Sequence, residues 1–362
     1  MKNTKEPLFP NIEKDELFKE LVKAIQEKGL SLDEVTPEKI YAITSETGDQ
    51  FLQKLKSSIS EKLAEHHKFR ISFEERLNEL WKEPFRLLEM LLIMSYELGK
   101  EFSEEKRQEA AREKDFVFYV LDQLHSRAIL IGKEILTLLR SGYASGAHAR
   151  WRTLHEIAVT AFFIKLHGND VAERYLFHDS IQSYKAMIEY QKHSGALGYP
   201  PLTKEEIQKV KKLRDQLRNK LGKSFVKETY GWAAKALNKK KPRFSDMESA
   251  VNLSHLRPFY RLASHSIHAN PKSVTFNLGI PEKGENIQLA GPSNTGMADP
   301  GHCTSISLLQ ISAAFLTLRT SFQGLVFLNT MRLLVDEIEE KFLEVHKLTE
   351  NVVDEIQKKR KL

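Results

Sequence analysis

Apolar residues recur at three- and four-residue intervals over most of this chain, the period of helices that bury one face. "LTKEEIQKVKKLRDQLRNKLG" shows it clearly and opens on Thr203 with Glu206 three positions later, a capping-box start. Upstream, Thr36 and Pro37 predict an N-cap and first helical residue, because proline lacks only an N–H that would be unpaired there. Ser103, with Glu104 and Glu105, predicts another helix start. "DFVFYVLDQLHSRAILIGKEILTLLRSG" predicts a long helix ended by Gly142 in a left-handed cap. "ASGAHARWRTLHEIAVTAFFIKLHG" follows and ends at Gly168, with a second half apolar nearly all round. Asp170 and Glu173 repeat the capping-box spacing.

"LNKKKPRFSD" interrupts the helical pattern. A helix containing Tyr260 follows, with Pro258 near its start and Pro271 as its expected end, since the residue before a proline leaves the α region. "SVTFNLGIPEKGENIQLAG" holds two short runs around a turn-rich centre and predicts a β-hairpin-like insert near 273–291. From Thr304 a long apolar helix runs into a charged C-terminal segment. No repeat occurs at a period of 20–50 residues. The expected fold is all-α: a helical-bundle core over 116–362 and a helical N-terminal extension over 1–115.

Composition narrows the classes. A chain of 362 residues that is 41% hydrophobic and 29% charged has enough apolar material for a sizeable core. A net charge of +6 is compatible with a polyanionic partner without requiring one. Cys303 is the single cysteine, which excludes an intrachain disulfide and a cysteine-based zinc site. The N-terminal lysines are followed by no apolar run, and no stretch nears the length needed to span a bilayer. A cytoplasmic protein without membrane contact is expected. No phosphate loop, HExxH or paired Glu-x-x-His motif occurs, so no metal and no cofactor are expected.

Two polar stripes carry the candidate chemistry. On the earlier helix His148, Arg152 and His155 repeat at i, i+4 and i+7, and Arg152 stands four residues before Glu156. These residues form either an internal ion pair of the bundle or the polar support of a site. On the Tyr260 helix, Arg261 and His268 are seven apart and would project within about 20° of each other. Ser264 and His265 lie to either side. Each histidine there is a helix-end residue or a functional one. Lys239, Lys240, Lys241 and Arg243 offer a basic loop for RNA, with a solvated loop as the plain alternative.

Those residues resemble a family of bacterial helical proteins of unknown function, with an Arg-x3-Glu helix and a Tyr-x3-Ser-x3-His helix before a proline turn. Here they are Arg152 and Glu156, then Tyr260, Ser264 and His268. The resemblance covers roughly 116–330. A second resemblance is to the HEPN superfamily, helical bundles that include metal-independent ribonucleases with an Arg-x(4–6)-His signature. Both Arg261–His268 and Arg150–His155 fit it. About two such matches arise by chance in this composition; what singles out the first is its place on the helix of Tyr260 and Ser264. The resemblance implies a defence- or toxin-type endoribonuclease, catalysis by Arg261 and His268, a Glu156 contact that fixes the histidine tautomer, and a homodimer. The alternative is a non-catalytic helical module that binds a protein partner or regulates one.

Overall fold

The computed structural model describes residues 22, 23, 26, 36–280 and 289–360. It divides at Arg76/Leu77 into two compact units. In the first, the described residues from 37 to 76 are one mostly exposed helical run, which begins at Pro37 as expected; this helix, α1, spans Pro37–Leu80.

The second unit is a helical bundle. Its main helices are α2 (Lys82–Glu113), α3 (Phe116–Arg140), α4 (Ala144–His167), α5 (Asn169–Leu197), α6 (Lys204–Leu221), α11 (Ala298–Leu316) and α12 (Phe322–Arg360). Short helices α7 (Lys223–Lys227), α8 (Phe244–Ala250), α9 (Arg257–His265) and α10 (Pro271–Thr275) lie between α6 and α11. The centre is α11, which packs against α2, α3, α4 and α12. It suits that place because it is apolar on every side: Cys303, Leu308, Ile311, Ala314 and Phe315 are all buried. Small residues let neighbours approach its backbone. A Cβ on Gly301 would lie 2.2 Å from Cζ of Phe342, the fully buried ring that α12 lays across this turn. That ring also meets Trp81 and Phe85 at centroid distances of 5.8 and 6.1 Å. Burial holds the Cys303 thiol well above its ordinary range, which makes it a packing residue.

Local signals explain most boundaries. Gly142 takes φ 83° after α3, and Gly168 takes φ 75° after α4. The Thr203–Glu206 capping box is formed on both sides. Three expectations differ. Ser103 lies inside α2, buried and bonded by Arg107, because the stripe Leu87, Leu88, Leu91 and Leu92 carries that helix through it. This also places α2 within the second unit, not in an extension ending at 115. Helix α5 starts from Gly168 with no side-chain cap, and Asp170 pairs with Lys235.

The expected β insert is not supported: no strand occurs among the described residues. Asn270 caps Ser273 N at 3.0 Å and Pro271 occupies the first helical position, so 271–275 forms α10. Beyond it, Leu278 N donates to Ser145 Oγ, and Ser293 N to the Gly142 carbonyl. These single bonds tie the described parts of the segment to the α3–α4 turn. Residues 281–288 of the expected insert lie outside the described residues.

Alanine at Gly301 gains helix propensity of about 1 kcal/mol, yet its methyl must displace a buried ring. Gly301→Ala is therefore expected to destabilise the protein by roughly 1–3 kcal/mol, measured by urea unfolding. A neutral or stabilising result would show that the α11–α12 contact is looser than described.

Candidate functional site

The two polar stripes meet where α9 crosses α4. Tyr260 Oη donates to Glu156 Oε1 at 2.5 Å, and Arg152 Nε stands 3.3 Å from the same oxygen. The Arg152 guanidinium lies over the Tyr260 ring, 4.6 Å from its centroid. Arg152 and Glu156 thus pair as their i, i+4 spacing suggests, and the Tyr260 of the later helix completes the set. Burial, then the Glu156 carboxylate, pushes the Tyr260 phenol above its ordinary range and Tyr230 up to about 12. Tyr260 therefore stays a donor at neutral pH.

One residue before Glu156, the fully buried His155 shares a 2.9 Å bond between Nε2 and Oε1 of Glu248, also fully buried, on α8. The second Glu248 oxygen pairs with Arg257, the first residue of α9. Burial holds His155 down to about 4, so at neutral pH it is uncharged and its Nε2–H donates to the carboxylate. Arg257 lies over both Phe244 and Tyr260 at 6.0 and 5.7 Å. Arg150, the other HEPN-like arginine, pairs with Glu134 instead. The match Arg150–His155 is thus two separate packing contacts.

The Tyr260 helix ends three residues before His268. Helix α9 stops at His265, a turn covers 266–267, and His268 lies in a bend. Asn270 N closes back onto the His268 carbonyl at 2.8 Å, and Asn270 then caps α10. The co-projection of Arg261 and His268 along a continuous helix therefore does not hold. Both side chains are exposed, and among the described residues neither makes a hydrogen bond or ion pair. Glu156 is committed to Tyr260 and Arg152, so it does not set the tautomer of His268. Ser264 Oγ turns back to the Tyr260 carbonyl at 2.8 Å. His265 is the oriented imidazole: its Nδ1 lies 3.1 Å from Asn270 Nδ2 and 3.3 Å from Asn270 Oδ1, which also accepts from Ser273 N.

The basic loop is partly spent. Lys239 Nζ and the backbone N–H of Arg243 both bond Asp246, which holds that carboxyl below its usual range. Lys240 and Lys241 are exposed. Among the described residues, no three His, Cys, Asp or Glu side chains gather as a metal would need. Glu248 and Arg257 are the members of the network that sequence reasoning missed.

Arg257→Met leaves the Glu248 carboxylate buried with a neutral histidine for company. A loss of about 3 kcal/mol is expected, read by chemical denaturation, and Glu248→Gln in the same chain should restore part of it. Burial also holds His125 and His148 down to about 4. With His155, three histidines charge in the unfolded chain before they charge in the folded one, so stability falls as pH drops from about 6.5 towards 4. Each contributes about 2 kcal/mol between pH 7 and pH 5. Among the described residues His148 has no hydrogen-bond partner at either nitrogen, and it stacks on Trp151 at 5.4 Å. His148→Phe should therefore keep neutral-pH stability while flattening this pH dependence, as thermal melts at pH 7 and 5 would record.

No curated protein and no solved structure matches the chain. Residues 118–286 match the model of a family of unknown function, DUF5677. That span takes in Arg152, Glu156, Glu248, Arg257 and Tyr260.

Proposed function

We propose that the C-terminal end of α9 is a phosphate-facing site and that the chain is a metal-independent, HEPN-like endoribonuclease. One observation carries this reading: among the described residues, the acids around this helix end are already spent. No Asp or Glu occurs from Arg257 to Ile280. The nearby carboxylates of Glu156 and Glu248 are neutralised by Arg152 and Arg257. Arg261, His268 and Lys272 are left exposed, with His265 half-buried beside them. A phosphodiester is the ligand such an uncompensated cationic edge suits.

The chemistry follows from the groups. His268 takes the proton of a ribose 2′-OH as that oxygen attacks the adjacent phosphorus. Arg261 and His265 meet the charge that builds on the non-bridging oxygens. The bond to the 5′-oxygen breaks, that oxygen takes a proton from solvent, and a 2′,3′-cyclic phosphate remains. Arg152, Glu156 and Tyr260 act as positioning residues that fix α9 to α4, and Lys240 and Lys241 extend the cationic surface for RNA. A defence or toxin role and a homodimer belong to the same reading.

One observation favours a second reading. Among the described residues His268 has no side-chain partner to orient it, which suits a non-catalytic module whose exposed end binds a protein partner. RNA incubated with purified protein in EDTA separates the two. Cleavage with cyclic-phosphate ends is expected, and His268→Ala should lower it by at least about a hundredfold without a change in melting temperature, because the side chain is exposed. Wild-type protein that leaves RNA intact, or a His268→Ala variant of full activity, would decide for the second reading.

A further inference from the structure

A different face of the bundle holds a trough between α2 and α3. It consists of two chambers that share Arg107 and Asp122. The first, about 360 Å³, mixes polar and apolar surface, with Tyr96, Lys100, Lys133, Ile129 and Leu130 along its sides and His125 among its lining. The second, about 490 Å³, is mainly apolar, with Ala111, Phe116, Phe118, Tyr119 and Leu176. Each has the size of a small-ligand pocket.

The sequence spends stability to build it. Gly99 sits in the middle of α2, where glycine is worse than alanine by about 1 kcal/mol. A Cβ there would lie 2.2 Å from Cε1 of His125, so glycine is what lets the imidazole seat against α2. Ser312 Oγ, on α11, holds the other edge of the ring at Nε2, 3.2 Å away. Arg107 forms a strut beside it, bonding Ser103 Oγ at 2.9 Å and Asp122 at 3.1 Å.

The charges around the first chamber do not cancel. Arg107 is met by Asp122, and Lys100 stands 3.9 Å from Glu104. Lys133 faces only the ring of Tyr96, 5.2 Å from its centroid, with no ion pair among the described residues. Buried His125 is neutral and adds no counter-charge. One end of the trough therefore carries Lys133 without a counter-ion among the described residues, and the other, though Lys114 and Asp115 stand at its edge, is the more apolar. From Lys133 to Tyr119 the wall runs fourteen residues of α3, roughly 21 Å at the helical rise.

We propose that this trough binds a long-chain aliphatic carboxylate, its head at Lys133 and Tyr96 and its chain passing Arg107 into the apolar chamber. The match is one of charge at one end and apolar surface at the other, over a length that an extended acyl chain covers. A partner helix fits less well, because at about 10 Å across it would have to displace the Arg107–Asp122 pair, which a single extended acyl chain need only pass.

Calorimetric titration of the full chain with palmitate below its aggregation limit tests this, with hexadecanol and inorganic phosphate as comparison probes. Saturable binding of one palmitate per chain is expected, with hexadecanol weaker by about tenfold or more and phosphate silent. Lys133→Ala should erase the preference for palmitate over hexadecanol. Ala111→Trp, a change at an exposed position, should fill the apolar chamber and weaken both while leaving the melting temperature in place. No palmitate binding, unsaturable uptake, phosphate binding as tight as palmitate, or an Ala111→Trp protein that binds like wild type each overturns the proposal.

Discussion

A carboxylate closed off from water must be met by donors on both oxygens, and Glu248 sets that condition for the junction of α4, α8 and α9. Its desolvation is worth several kcal/mol if uncompensated. His155 supplies a donor from α4 and Arg257 a charge from the first turn of α9. The next turn of α9 brings Tyr260 to Glu156, the neighbour of His155 on α4. Two ties at adjoining positions of both helices fix how α9 is rotated as well as where it lies. A nine-residue helix would not hold such an orientation by its own backbone bonds.

That constraint explains which parts of the site were legible in the sequence. Arg152 and Glu156 were readable because four-residue spacing makes helical neighbours whatever the tertiary fold. Tyr260 entered by resemblance to a motif, and the geometry supplies its partner. Glu248 was not readable: it lies 93 residues from His155 in sequence, on a helix too short to show a period. Arg257 was hidden in the same way, since its role exists only across the α8–α9 turn.

The misreadings of the fold share a cause. Val274, Phe276 and Leu278 alternate as a strand should, but alternation needs a partner edge, and none is present among the described residues. The stronger local signal was Asn270 followed by Pro271, the start of a helix rather than the end of one. Once Pro271 begins α10, the Tyr260 helix has to stop earlier to leave room for the turn. The long helices were legible because their apolar stripes outlast any single polar residue, which is also why Ser103 did not begin one.

Burial then sorts the histidines by what they are able to do. His125, His148 and His155 are kept neutral by desolvation and spend their rings on packing: against Gly99, against Trp151, and onto Glu248. A base that is neutral to pH 4 is too weak to draw a proton from a hydroxyl at neutral pH. His265 and His268 lie past the last buried turn of α9, where the ties to α4 no longer reach. The same network that draws the acids inward thus leaves Arg261, His268 and Lys272 outside with no carboxylate partner among the described residues. Chemistry at this helix end, if phosphate reaches it, depends on Glu248 and Glu156 being occupied elsewhere: were either carboxylate released by loss of its arginine, it would compete with the substrate for the cations that remain.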